Sequence, residues 1–203
     1  MNFIAGEFIM ENRNDKTEEI LEILDACYGV TKEGFYHREL WQLLVAIMLS
    51  AQSTDKQVDK VLPGLYERFP TLDSVARAPA ADIEEGIRSI GLYKNKAKNI
   101  KLCANQIINN FNGKVPHTMK ELTSLAGVGR KSANVIMLEV FGIAEGIAVD
   151  THAKRISNLM GLSKEKEPEK IEQDLIKFFP KDSLKDINHL FVWHGRNSCV
   201  ARN

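Results

Sequence analysis

The chain has 203 residues, 44% hydrophobic and 27% charged, with 27 lysines and arginines against 27 aspartates and glutamates. That composition is ordinary for a soluble globular protein with room for a proper core in one or two domains. A formal net charge of zero gives no bulk support to nucleic-acid binding, so any such function must rest on local clusters.

Three cysteines, Cys27, Cys103 and Cys199, are far apart and odd in number, which argues against a disulfide framework and for a reducing compartment. The longest apolar run, Leu43 to Leu49, is too short to span a bilayer. The N-terminus has no basic start followed by an apolar stretch, so no signal peptide is expected, and Met10 is an alternative start.

Taken in order, the chain reads as helices joined by short turns. Apolar Ile20, Leu21, Ile23, Leu24 and Cys27 form a helical stripe ending near Gly29. "HRELWQLLVAIMLSAQ" is apolar on nearly all sides and predicts a central, buried helix. Thr54 and Gln57 stand at capping-box spacing, and Pro63 is expected to bend or break the helix they open. Short helices are expected around Leu72–Arg77 and Asp82–Ser89, then a longer amphipathic one closed by Asn112-Gly113. Thr118 and Glu121 form a second capping pair. Further helices follow at about Arg130–Phe141, Thr151–Leu159, Pro168–Phe179 and Ser183–His194. "EGIAVD" is the best strand candidate, though short and without a partner. The charged run Ser163–Asp174 reads as the solvated start of a helix. Cys27 and Cys103, on apolar faces, read as core residues.

In "LTSLAGVGRKSANV", Leu122 and Leu125 lie one turn apart, Gly127 and Gly129 flank Val128, and Ala133 follows on the next helix. The glycines permit positive φ and a tight turn, Val128 can plug between the helices, and Ala133 lets them approach. Free amides at the start of the second helix suit a phosphate oxygen, backed by Arg130. The spacing is that of a helix-hairpin-helix, a non-sequence-specific DNA-backbone binder. The stretch alone fits an ordinary αα-hairpin equally well.

Lys131 needs another explanation, because helix N-termini disfavour cations. A reference lysine has a pKa of ~10.4, and a nucleophilic one must be neutral. A positive helix end and Arg130 both push that way; a like charge at ~8 Å and a dielectric of ~20 costs at most roughly 2 kcal/mol. The bland alternative is a phosphate contact or a solvated surface lysine. Downstream, Asp150 opens another helix, where it is a natural N-cap and also a rigidly held carboxylate suited to an acid/base or electrostatic role. His152 reads as structural, and Lys154 and Arg155 as contacts to solvent or phosphate.

"LAGVGRKSANV" followed by "AVDTH" resembles the endonuclease III family of DNA glycosylases. "MLSAQSTDKQV", "GLYKNKAKNI" and "HGRNSC" resemble further family motifs in the same order, and the likeness covers the chain from about Thr17. The resemblance implies an all-α fold of two helical domains flanking a DNA-binding cleft. An N-terminal extension would span 1–16. A six-helix barrel would span 34–142, with the hairpin at 119–142, and a second helical domain would combine 17–33 and 143–203. It also implies Lys131 as nucleophile and Asp150 as catalytic aspartate. Gln52 and Leu92 would fill the gap left by a flipped nucleotide and wedge the opposite strand. Gly127, Val128, Gly129 and Arg130 would contact DNA. By themselves, Gln52 reads also as a capping or surface residue and Leu92 as a hydrophobic contact at a helix start.

The implied activity is glycosylase plus AP lyase on oxidised pyrimidines, through a lysine Schiff base and β-elimination. The implied partner is double-stranded DNA with a damaged base or abasic site, bound by a monomer. The implied location is cytoplasmic, with nucleoid association if the source is bacterial. A mismatch- or purine-specific glycosylase on the same fold, and a non-catalytic DNA-binding module, are the alternatives. Two departures stand out. Ala126 replaces the hairpin's usual proline, which should loosen the turn slightly. Cys199 matches only the first of the four ligands of the family's [4Fe–4S] loop, so the 203 residues cannot hold that cluster; either the motif continues beyond Asn203, the favoured expectation, or the cluster has been lost.

Overall fold

The structure is a computed structural model describing residues 3–29 and 39–201, with side chains from Lys16 onward. Among the described residues it is all-helical, with eleven α-helices and a 3₁₀ turn at Lys181–Ser183. The chain divides into two compact units, one of residues 33–143 and one of residues 1–32 with 144–203.

The first unit contains α2 (Leu40–Ser50), α3 (Asp55–Arg68), α4 (Leu72–Arg77), α5 (Ala80–Gly86), α6 (Tyr93–Phe111), α7 (Met119–Ser124) and α8 (Arg130–Phe141). Every residue of α2 from Trp41 to Leu49 is buried, as expected of a helix apolar all round. Glu39 and Gln42 close a capping box at its start, and the Tyr66 hydroxyl donates to the Gln42 carbonyl at 2.6 Å. The Thr54–Gln57 box opens α3. Pro63 does not break α3, which runs on to Arg68. Its ring is exposed, so the carbonyl deprived of a partner one turn earlier faces water, while Val58, Leu62, Leu65 and Tyr66 anchor the opposite face in the core. Asn112, at φ +53, ends α6.

The second unit contains α1 (Phe3–Tyr28), α9 (Thr151–Leu159), α10 (Pro168–Phe178) and α11 (Leu184–Asn197). Its core gathers Leu24, Ile147, Ile156, Ile171, Leu175, Leu190 and Phe191. Gly195 permits the close approach of α11 to α9, since a Cβ there would lie 2.7 Å from His152 Nδ1. "EGIAVD" forms no strand; Val149 N–H bonds the Ile147 carbonyl at 2.9 Å in a compact turn. The charged run is solvated only in part, because Ser163 and Glu172 are buried. Cys103 lies in the first unit's core, whereas Cys27 is exposed, since the apolar stripe of α1 is narrower than its periodicity suggests.

Candidate nucleic-acid interface and catalytic residues

Helices α7 and α8 are joined by Leu125–Gly129. Leu122, Leu125, Val128 and Ala133 are all buried, so the hairpin's apolar positions form its hinge against the core. Gly127 adopts φ +77, and a Cβ there would lie 2.8 Å from Asn99 Cβ and 2.9 Å from Met48 Cε. Both conformation and space therefore require glycine. Gly129 differs: its φ is −85° and a Cβ would meet open space. Its missing side chain serves no internal packing. As N-cap it offers no side-chain capping group to the first amides of α8. A helix start with no side chain at its N-cap suits an anion.

The turn is held despite Ala126. The Ala126 N–H, which a proline would lack, donates to Gln106 Oε1 at 2.7 Å, and Gln106 Nε2 donates to the Ser124 carbonyl at 3.3 Å. One glutamine of α6 thus holds the chain on either side of Leu125, where the turn leaves α7. Arg130 and Lys131 follow as the first two residues of α8, both exposed.

Gln52 and Leu92 occupy two turns of the same unit. Gln52 has φ +57 and is exposed. Leu92 is the N-cap of α6, with φ +58, ψ +29 and 61% of its surface exposed. It is not among the residues that form or pack against the hydrophobic core of its unit. A leucine held in the left-handed region and turned toward water costs roughly 1–2 kcal/mol of strain. Strain of that kind points to function rather than packing.

Sequence reasoning passed over Lys96. It is buried, and its ammonium donates to the Leu49 carbonyl at 2.7 Å, the Ala51 carbonyl at 2.6 Å and Ser53 Oγ at 2.9 Å. Burial pushes its pKa down from the ordinary lysine range. A signal existed: Lys96 stands on the α6 stripe that carries Ile100, Cys103 and Ile107, where a charge is out of place.

In the second unit, Asp150 is the N-cap of α9, and its Oδ1 accepts from the Ala153 N–H at 2.8 Å. The preceding Ile147, Ala148 and Val149 are buried. Ile147 N–H donates to Oε1 of buried Glu172 at 3.2 Å, a second contact absent from the sequence reading. The Asp150 carboxylate therefore sits at the end of an anchored segment. His152 is structural, its ring lying against Gly195. Lys154 and Arg155 also bond within the fold: Lys154 Nζ, in an exposed position, donates to the Lys166 carbonyl at 2.6 Å, and partly buried Arg155 donates to the Gly195 carbonyl at 3.0 Å and Cys199 Sγ at 3.3 Å. Both are tied into the fold.

Among the described residues no group of three or more His, Cys, Asp or Glu could hold a metal ion. Cys103 is enclosed in the first unit's core, and Cys27 and Cys199 belong to the second. These residues do not fit a [4Fe–4S] centre with its four thiolate ligands, and no step below runs through one. No helix among the described residues is long and apolar enough to cross a membrane.

Among the described residues, an all-helical fold with a glycine-capped hairpin, two strained turns and a lysine at the hairpin helix start is the arrangement of a helix-hairpin-helix protein. Residues 45–181 match the HhH-GPD superfamily base excision DNA repair proteins. Endonuclease III of Synechocystis is 43% identical over 95% of this chain and 88% of its own length. Endonuclease III of Escherichia coli K12 is 40% identical over 80% of this chain and 76% of its own. The solved structure of a trapped endonuclease III–DNA covalent intermediate superposes with a TM-score of 0.87 at 36% identity, covering 93% of this chain and 89% of that one. The chain belongs to the HhH-GPD superfamily and, within it, to the endonuclease III family. Its activity is that of a base-excision-repair DNA glycosylase and AP lyase acting on damaged bases.

Proposed function

We propose that the chain removes oxidised pyrimidines from double-stranded DNA, with Lys131 as nucleophile and Asp150 as the stabilising carboxylate. The observation that carries this reading is the exposed lysine in the first turn of the helix that follows the glycine hairpin. The hairpin grips the phosphate backbone through Gly127, Val128, Gly129 and Arg130, fixing register rather than reading bases. Leu92 enters the base stack and Gln52 fills the gap as the damaged nucleotide turns out. The Lys131 amine attacks the sugar C1′ and the base leaves with the C1′–N bond electrons. Asp150 stabilises the positive charge developing on the sugar. Loss of the amine proton and opening of the sugar ring give a C1′ Schiff base. Removal of a C2′ proton then expels the 3′ phosphate by β-elimination.

Borohydride trapping tests the assignment. Wild-type protein should form a covalent adduct on a duplex carrying an oxidised pyrimidine, and Lys131→Gln should form none while still binding the duplex. An adduct undiminished in Lys131→Gln would remove Lys131 from the chemistry.

A further inference from the structure

We propose that Lys96 is a positioning residue that locks the Gln52 and Leu92 turns into the geometry that opens the DNA duplex. The proposal rests on the reading of those two residues given above.

Lys96 reaches both turns. Its side chain holds the one that follows α2: the Leu49 and Ala51 carbonyls and Ser53 Oγ take its hydrogen bonds and bracket Gln52. Its backbone N–H donates to the Leu92 carbonyl at 3.0 Å, within the first turn of α6. Three acceptors match the three donors of an ammonium, so the group is fully satisfied. The carbonyls it meets include orphans at the C-terminal end of α2, where a cation suits the helix dipole.

The two turns also lie close together. A Cβ added to Gly91 would lie 3.5 Å from the Gln52 carbonyl oxygen and 3.9 Å from Ser53 Oγ. Gln52 and Leu92 both hold left-handed backbone that non-glycine residues avoid. Such conformations persist only where the surroundings over-determine them. A buried cation saturated by the turn on one side, and bonded through its own amide to Leu92 on the other, supplies that constraint. An apolar residue at position 96 would leave the bracketing carbonyls unpaired and free the turn to relax.

A purely structural lysine would act on the folded fraction and lower every activity in proportion. A positioning lysine acts only where a duplex must be opened. The test therefore compares strand cleavage at one lesion, an abasic site, in duplex and in single-stranded DNA, for wild type, Lys96→Met, Lys96→Arg and Leu92→Ala. The ratio of duplex to single-strand rates should fall about tenfold in Lys96→Met, the scale set by losing buried hydrogen bonds. Lys96→Arg, which keeps charge and donors, should recover part of it. A 2-aminopurine opposite the lesion should brighten on binding of wild type and less with Lys96→Met, reporting the wedge itself. Should Lys96→Met fail to fold, Ser53→Ala, which removes one acceptor, should lower the same ratio to a smaller extent. An unchanged ratio in the folded variant, or equal loss on both substrates, overturns the proposal. If Leu92→Ala keeps the wild-type ratio, the wedge reading fails and the proposal with it. If Leu92→Ala loses the ratio and Lys96→Met does not, the proposal alone fails.

Discussion

Gln52 and Leu92 share the same left-handed backbone, φ +57 and +58, on two turns that lie close together at Gly91. Neither is glycine, and Leu92 is largely exposed. Strained backbone and wetted apolar surface together at one residue are a cost that folding has no use for. They make sense where a side chain must be presented outward in one fixed direction.

Leu92→Asn separates the two demands. Asparagine tolerates the left-handed region, and little burial is lost at an exposed leucine, so stability should rise by up to about 1 kcal/mol. Duplex cleavage should fall because the wedge is gone. The denaturant midpoint and the duplex cleavage rate check this together; a lower midpoint with full activity contradicts it.

The two hairpin glycines should respond differently. Gly127→Ala meets both positive φ and neighbours under 3 Å, and should cost about 1–3 kcal/mol of stability. Gly129→Ala meets open space at an ordinary φ, and should change stability by about 1 kcal/mol at most. Its methyl nonetheless stands beside the first amides of α8, so affinity should drop on damaged and undamaged duplex alike. Thermal melting and filter binding distinguish the pair.

Asp150 combines a cap with a charge. Asn and Asp cap helices about equally, so Asp150→Asn should hold stability within about 0.5 kcal/mol while glycosylase turnover collapses. Asp150→Ala should lose turnover and about 1 kcal/mol besides. Single-turnover base release and urea unfolding measure the two effects. Full turnover in Asp150→Asn would assign the residue to capping alone.

The thiols should rank by environment. Burial pushes Cys103 up to about 12, so it carries almost no thiolate at neutral pH and should resist alkylation until unfolding. Exposed Cys27 should react in the native state. Mass spectrometry after a timed iodoacetamide pulse reads both directly; prompt native labelling of Cys103 would contradict its place in the core.

The helices were legible because their signals are local. Thr54 with Gln57, the apolar run of α2, and the bounds of α4, α8 and α9 follow from neighbours within one or two turns. Lys131 and Asp150 stand out for the same reason, since both sit at helix starts where charge has a known preference. Family motifs raise them further. Pro63, by contrast, reads as a breaker locally and is carried through by core contacts on the other face of α3.

The linear chain by itself determined the helices and the hairpin, because periodicity and capping act over a few residues, and its family motifs pointed to the candidate chemistry. Tertiary structure alone decided that Lys96 of α6 would serve carbonyls after α2, that Gln106 would grip the Ala126 turn, and that Glu172 would anchor the segment leading to Asp150. Each of these joins groups distant in sequence, and a buried polar side chain takes whichever partner the packed fold brings within hydrogen-bond reach.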